Sequence, residues 1–367
     1  MRFLVITNAP TLVQGSNYVA YAPYVREMNI WCKFIDTFTI VSPTTYNGNL
    51  LVSEFEKQPE VVSVQNLNFT SIPNTIKSAF YIPQILFKIF AACKQADHIH
   101  LRCPGNIGLL GCMVQIFFPK KTKTAKYAGN WDPNAKQPKS YKFQKWILSN
   151  TMLTKNMQVL VYGHWKDQSK NIRSFFTASF TNDDKHAPKQ RDYNRALKFL
   201  FIGALVEGKR PQFAIDIIKE MHKRGFDVSL GLYGDGVQRK QLQQYVNANH
   251  LNDIVSFMGN TNLDGIKQAL NTAHFLILPS KSEGWPKAIA EAMFYGVIPI
   301  ATRISCVPYM LDYGKRGILI APNVNEAVRE IMDYITTKDL QHIASLASQW
   351  SQQYTMDYFE AQIKQLL

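Results

Sequence analysis

Two stretches of regular alternation, parted by a stretch with no apolar pattern, constrain this chain more than any other feature. Short apolar runs at 3–7, 38–41, 61–64, 98–101, 124–128 and 159–162 alternate with segments of helical spacing at 19–31, 82–93, 108–118 and 142–151. The alternation resumes with runs at 197–202, 228–233, 254–258, 273–278, 297–301 and 317–320, separated by helical segments at 211–224, 239–249, 263–270 and 286–295 and followed by helices over 327–336 and 340–367. Short apolar runs bounded by turn residues read as strands buried on both faces, and their order with helices predicts parallel sheets covered on each side. Residues 181–195 carry charges and Pro188 but no apolar period, which predicts a linker. The expected architecture is therefore α/β, with two doubly wound domains. The expected boundaries are an N-terminal domain over 1–182, a linker over 183–195, a C-terminal domain over 196–345, and a C-terminal helix over 346–367 packing back towards the first domain. Ligands of such sheets bind outside the carboxyl ends of the strands, which predicts a site facing the gap between the domains.

Composition narrows the class. The chain is 46% apolar and 19% charged, which excludes a disordered polymer. Uninterrupted apolar runs stop well short of the ~20 residues a spanning helix needs, so no transmembrane segment is expected. The four apolar residues after Arg2 are too few for a signal peptide and read as a buried strand. Cys32, Cys93, Cys103, Cys112 and Cys306 form no C-x-x-C pair, which predicts free thiols in a reducing cytosol.

The charge is uneven. Residues 1–190 hold 22 Lys and Arg against 10 Asp and Glu, a net of +12, whereas the remainder nets +2. Its densest part is the run Lys120, Lys121, Lys123, Lys126, Lys136, Lys139, Lys142 and Lys145, opposed by Asp132 alone and interleaved with Trp131, Tyr141, Phe143 and Trp146. Such a run reads either as a solvated face or as a surface for an anionic partner. No nucleic-acid-binding module accompanies it, so a nucleic acid is not expected.

The strongest chemical signal spans 280–293, between a strand and a helix. Gly284 loosens the turn, and Pro286 suits a helix start, whose free N–H groups and positive dipole end favour phosphate. Glu283 lies at the helix mouth and Glu291 about a turn deeper, where carboxylates can accept from sugar hydroxyls. The plain alternative is that Glu283 favours the dipole and Glu291 is a solvated residue.

Glu283 and Glu291 match the E-x7-E signature of retaining GT-B glycosyltransferases, and the surrounding sequence resembles glycosyltransferase family 4, the glycosyl transferases group 1. The segment from Phe201 to Pro211 is similar to that family's first C-domain strand and phosphate loop. Leu232-Tyr233-Gly234-Asp235-Gly236, Val255-Ser256-Phe257-Met258-Gly259 and Gly296-Val297-Ile298-Pro299-Ile300-Ala301-Thr302 resemble its later turns and strands. The resemblance covers about 197–335 and implies the GT-B fold of two Rossmann-like domains. It implies a nucleotide-sugar donor held by the second domain, with Glu291 on the ribose and Glu283 beside the donor sugar. Gly284 and Trp285 would offer backbone N–H groups and Lys209 a cation for the diphosphate. Arg210 and Lys287 are candidate second cations, and Gly203, Gly234, Gly236 and Met258 complete the expected donor site. Two departures stand out: Ala204 occupies the family's arginine position, and Pro286 removes one expected backbone donor.

In the first half, Gly15 lies on a loop after strand one that reads as a βα turn or a donor or acceptor contact. Arg102 and Asn106 follow another strand, with Arg102 either an anion contact or a surface charge. Asn130, Trp131 and Asp132 end the next strand, where the family often carries a histidine; Asn130 and Asp132 are the catalytic candidates, although Asp132 before Pro133 is also a good turn-former. His98 and His100 share a strand face but lack a third ligand nearby, and no Asp-x-Asp occurs, so no metal and no cofactor beyond the nucleotide-sugar co-substrate is expected.

The resemblance thus implies a retaining glycosyltransferase. It would move a sugar from a nucleoside-diphosphate sugar, UDP or GDP, to a glycan or lipid-linked saccharide in bacterial surface polysaccharide or glycoconjugate synthesis. The expected location is cytoplasmic, peripheral on the inner membrane face, with residues 120–145 against an anionic membrane surface. A catalytically inactive sugar-nucleotide-binding partner subunit, or another GT-B reaction such as a sugar-nucleotide epimerase, are the alternatives.

Overall fold

The computed structural model describes residues 1–48 and 50–367. The chain divides into two compact units, one formed by 1–175 with 360–367 and the other by 176–359.

The first unit is built on a seven-stranded, wholly parallel sheet. In spatial order the strands are Ile172–Phe175, Met157–Tyr162, Thr122–Tyr127, His98–Cys103, Arg2–Ile6, Thr37–Pro43 and Glu60–Val64. Strand order reverses between Arg2–Ile6 and His98–Cys103, the switch point where such sheets leave a crevice. Alternate residues point to opposite faces. Leu4, Ile6, Ile99 and Leu101 face a core completed by helices Ile72–Gln95, Asn106–Val114 and Lys139–Ser149. Phe3, His98 and His100 face Trp31 of helix Ala22–Cys32 on the other side.

The second unit repeats the plan with six parallel strands in the order Val255–Gly259, Val228–Tyr233, Leu197–Ile202, Phe275–Leu278, Ile298–Thr302 and Ile318–Ile320. Its switch point lies between Leu197–Ile202 and Phe275–Leu278. The helices Pro211–Lys223 and Lys287–Phe294 begin just beyond those strands.

Several expectations need correction. Gly15 is not in a βα turn: it sits at φ +62° in a hairpin joining Leu12–Gln14 to Asn17–Tyr21, which pairs onward with Val52–Glu54. A Gly at positive φ followed by Ser is hairpin chemistry. The helix expected over 82–93 begins at Ile72, capped by the Ser71 hydroxyl, and carries Pro83 inside. With 24 residues and a mean hydropathy of 1.3 in its most apolar window, it is long and apolar enough to cross a bilayer. Counting uninterrupted runs missed it because Lys77, Pro83 and Lys88 break the run without breaking the helix.

The stretch expected as a linker is bound into the second unit. The half-buried Arg191 guanidinium donates to the carbonyls of Ala273 at 2.6 Å, Tyr295 at 2.9 Å and Gly296 at 3.0 Å, satisfying chain ends that those helices leave open. The expected C-terminal helix is two. Leu340–Ser351 stays with the second unit, where Ser351 donates to Ala290 at 2.6 Å, and Met356–Lys364 carries the chain into residues 360–367 of the first.

The lysine run is not one surface. Lys123 and Lys126 are each 1% exposed, because their strand is central in a doubly covered parallel sheet. The Lys121 ammonium donates to the carbonyls of Cys93 at 2.7 Å and Lys94 at 2.8 Å, closing the end of helix Ile72–Gln95. Lys145 lies over the rings of Tyr127 and Trp131 at 5.5 and 5.4 Å. Lys120, Lys136, Lys139 and Lys142 remain exposed.

Candidate active site

In the second unit, two loops meet beyond the switch point. The loop after Leu197–Ile202 runs from Gly203 to Arg210, and the loop after Phe275–Leu278 runs to Pro286. The Lys281 amide donates to the Gly208 carbonyl at 2.8 Å, and its ammonium pairs with Glu207 at 2.5 Å. Thr302 donates to the Ser280 carbonyl at 2.6 Å and the Cys306 thiol to the Gly284 carbonyl at 2.9 Å. This framework holds Glu283 at 9% exposure, where it accepts from Lys209 at 2.5 Å. The pair stands beside the start of helix Lys287–Phe294, which no side chain caps. An uncapped helix start beside a cation offers N–H donors and positive potential to a phosphate.

Glu291, in the second turn of that helix, accepts from the Ser179 hydroxyl at 2.5 Å. Lys287 lies one turn before it on the same helix, half-buried. Trp285 is buried against Trp350 and Tyr354, with ring centroids 6.1 and 5.7 Å away. Arg210 adopts φ +55° before helix Pro211–Lys223, stacks on Phe213 at 4.1 Å and donates to the Pro322 carbonyl at 3.3 Å. With Ala204 at the arginine position, Lys209 is thus the cation placed on Glu283.

The glycine loops are shaped by their own contacts. A Cβ on Gly234, at φ +140°, would lie 2.0 Å from the Gly203 carbonyl oxygen, and one on Gly236 would lie 2.5 Å from that of Leu205. Their amides are taken up internally, with Gly203 donating to Tyr233, Gly234 to Gly259 and Gly236 to the Asp235 carboxylate. Met258 lies half-exposed near the end of Val255–Gly259.

In the first unit the expected residues part company. Arg102 is not a free surface charge. It is half-buried, 3.0 Å from Glu27, whose same oxygen lies 2.9 Å from the Lys126 ammonium, and its guanidinium stacks 4.6 Å from the Tyr24 ring. Burial alone would raise the Glu27 carboxyl, but Arg102 and Lys126 hold it down at about 2. Sequence reasoning passed over Glu27; the signal was an acid at helical spacing between Tyr24 and Trp31 on a buried face. His98 and His100 both bond the Thr124 hydroxyl at 2.8 Å, and burial drives His98 down to about 4, so both serve the core as neutral rings. No cluster of His, Cys, Asp and Glu suited to a metal occurs among the described residues.

Asn130 accepts from the Asp132 amide at 2.9 Å, and Asp132 from the Asn134 amide at 2.8 Å, two successive turns that set the Trp131 indole inward. Trp131 donates to Gln168 at 2.8 Å. Asn106 donates to the Leu67 carbonyl at 3.0 Å and lines a cleft of about 890 Å³ with Thr45, Asn66, Asn68, Thr70 and Ser140. Its walls combine these amides and hydroxyls with the side chains of Tyr46, Leu67, Phe69 and Leu109, and none of its described lining residues is charged. Its Asn66 and Asn68 had drawn no notice, because isolated asparagines in a loop carry no spacing signal.

Residues 182–351 match the family model for glycosyl transferases group 1. Over 151 residues the chain is 30% identical to an uncharacterized glycosyltransferase of Methanocaldococcus jannaschii, covering 41% of this chain and 40% of that protein. Over 156 residues it is 26% identical to the amylovoran biosynthesis glycosyltransferase AmsK of Erwinia amylovora, covering 41% and 38%. The chain thus spans about two-fifths of the length of these relatives. In fold, it is similar along its whole length to Anabaena HepE, solved in complex with UDP, with a TM-score of 0.68, 16% identity, and coverage of 100% of this chain and 99% of that one. Residues 182–351 are thus similar to the glycosyl transferases group 1, on a chain whose two Rossmann-like units have the GT-B fold.

Proposed function

We propose that this protein is a retaining, metal-independent glycosyltransferase that moves a sugar from a nucleoside-diphosphate sugar, UDP or GDP, to a glycan or lipid-linked saccharide in surface polysaccharide synthesis. The observation that carries the reading is the Lys209–Glu283 pair at 2.5 Å beside an uncapped helix start at the switch point of the family-matched unit. As the bond from the donor sugar's anomeric carbon to the diphosphate breaks and the acceptor hydroxyl oxygen bonds that carbon on the same face, negative charge gathers on the leaving diphosphate, which takes up the hydroxyl's proton. Lys209 leaves Glu283 and turns its ammonium to that phosphate, and the helix start adds fixed positive potential, the logic of an oxyanion hole. Glu283 then lies by the donor sugar, and Glu291 exchanges its Ser179 bond for the ribose hydroxyls. The acceptor takes the cleft beside Asn106, whose neutral amides and hydroxyls suit saccharide hydroxyls. Relatives named for polysaccharide synthesis support the substrate class. We place the enzyme in the cytoplasm, at the inner face of the membrane.

Sugar release is measured with a panel of nucleotide sugars, with and without saccharide acceptors. Glu283→Gln is expected to reduce turnover more than nucleotide affinity. Glu291→Gln is expected to weaken nucleotide binding about 10–100-fold, the value of a hydrogen bond to a charged group. EDTA is expected to leave the rate unchanged. Undiminished nucleotide binding by Glu291→Gln would refute its assignment. A second reading, an inactive nucleotide-sugar-binding subunit, is favoured by one observation: Ala204 removes the family's arginine, and Arg210 is engaged with Phe213 and Pro322. Nucleotide binding without transfer to any acceptor in the panel selects it.

A further inference from the structure

Three helices cover one face of the first unit's sheet: Ile72–Gln95, Asn106–Val114 with its continuation Gln115–Phe117, and Lys139–Ser149. None of them contains an Asp or a Glu. Among the described residues, every strongly exposed phenylalanine lies in this unit, and all but Phe69 lie on these helices: Phe80, Phe87, Phe90, Phe117 and Phe143.

Helix Ile72–Gln95 organises the patch. Its buried positions are Ser78, Ile85, Ile89 and Cys93, which seat it on the sheet. At 100° per residue, Ile72, Ile76, Phe80, Phe87 and Phe90 form a stripe on the opposite side, running most of its ~36 Å length. Ile72 is 79% exposed, Phe80 82% and Phe87 73%. The stripe continues onto the neighbouring helix through Phe90, whose ring lies 6.3 Å from that of Phe117. On the third helix, exposed Phe143 and Trp146 stack at 5.8 Å beside Lys139 and Lys142. Lys77, Lys88 and Lys94 are spaced along the first helix, and Lys120 follows Phe117.

A helix with one face in the protein core and the other apolar, edged by cations alone, cannot be satisfied by water. A spanning orientation is ruled out by the core packing of Ile85, Ile89 and Cys93. A second copy of this chain would set one acid-free basic layer against another. The partner whose chemistry fits both features is a bilayer surface: acyl chains for the phenylalanines and anionic headgroups for the lysines.

We propose that this helix layer is a membrane-seating surface, with the Ile72–Phe90 stripe lying in the headgroup–acyl boundary of an anionic leaflet. It shifts the membrane-facing element from the lysine run to the helices: Lys121, Lys123, Lys126 and Lys145 of that run are taken up by the sheet and its helices, whereas Lys120, Lys139 and Lys142 stay exposed in the layer. The wall of the Asn-lined cleft, through Asn68, Phe69 and Thr70, leads directly into Ser71 at the head of this helix. A saccharide in that cleft would therefore have its lipid beside the stripe; this last point rests on the acceptor reading, whereas seating itself is read without turnover.

The test is co-sedimentation of the full chain with phosphatidylcholine vesicles, with and without ~30% phosphatidylglycerol, while sedimentation velocity gives its oligomeric state. Binding is expected to need the anionic lipid and to weaken as salt rises. It should fall at least tenfold in Phe80→Ser/Phe87→Ser, and on the order of a hundredfold in Lys77→Glu/Lys88→Glu/Lys94→Glu, at roughly fivefold per lysine. All five side chains are wholly or partly exposed, and unchanged thermal unfolding will show that both variants fold. Absence of vesicle binding, or binding that neither variant reduces, overturns the proposal. So does a wild-type dimer that Phe80→Ser/Phe87→Ser converts to monomer without any vesicle binding. Loss of transfer activity with vesicle binding intact refutes the acceptor reading and leaves the seating surface standing.

Discussion

The two units handle charge in opposite ways. In the first, charged and polar groups are spent inside the sheet: Glu27 between Arg102 and Lys126, Lys123 on Gln115 at 2.9 Å, and both histidines on Thr124. In the second, the ion pairs Lys209–Glu283 and Lys281–Glu207 stand at the carboxyl ends of strands, where the chain leaves the core. A charge in the middle of a doubly covered strand must be neutralised by its neighbours for good. A charge at a strand end can trade its protein partner for a ligand, and the Lys209 side chain, 31% exposed against 8% for Glu283, is the more accessible member of its pair. The position of an ion pair along its strand, more than its strength, separates the scaffold from the chemistry.

The comparison breaks most visibly at Glu27. Glu27→Gln leaves two cations facing one another in the core, and removing one partner of a buried pair costs about 3–5 kcal/mol. Denaturant unfolding is expected to show that loss at neutral pH, with nucleotide binding by the folded fraction unchanged. The sign with pH follows from the carboxyl, held at about 2 against an ordinary 4.5. Its contribution is fully present above pH 4.5 and is lost as pH falls from there towards 2. The gap between wild type and Glu27→Gln should therefore close over that interval. A gap that is constant with pH would show that the carboxylate is not what the cluster needs.

At the other pole, Lys209→Ala should cost transfer about 10²–10³-fold, the price of a lost oxyanion donor, with a smaller effect on unfolding than Glu27→Gln. Equal rates in variant and wild type would move the diphosphate's cation elsewhere, with Lys287 at the helix start the next to test.

Legibility followed the same division. The second unit's strands and helices follow the alternation of the sequence closely, and Glu283, Glu291 and Lys209 stood out there through their match to a family's short contiguous motifs on strand-end loops. Ser179 could not, since it reaches Glu291 from 112 residues away in an irregular stretch. In the first unit, two inferences from the sequence conflicted. Residues 124–128 read as a parallel strand, which must be buried on both faces, yet Lys126 within it was counted as surface charge. The strand determines its burial. The helix expected over 82–93 starts ten residues earlier, where Ser71 supplies the cap and Pro73 the early proline, signals that lie ahead of the apolar spacing. Arg191 looked like linker charge because its acceptors are carbonyls, which leave no trace in a sequence.

The smallest expected effect falls at Asp132, and it sharpens the comparison because Asp132 lies at a strand end in the unit that otherwise spends its charge internally. Its carboxylate is committed to the Asn134 amide at 2.8 Å, while its carbonyl accepts from Lys145 at 3.3 Å. Burial draws the Lys145 ammonium down to about 8, and the Asp132 charge works against that fall. If the role is the turn, asparagine serves as well as aspartate, because its side-chain oxygen accepts the same bond. Asp132→Asn is then expected to keep stability and transfer within about twofold, whereas Asp132→Ala loses about 1 kcal/mol, an ordinary hydrogen bond. The Lys145 titration should move further down in both variants, since each removes the charge that supports it. Should Asp132→Asn be as inactive as Asp132→Ala while unfolding like wild type, the carboxylate acts on the substrate. The strand end of the first unit would then join that of the second as a place where charge is kept for chemistry.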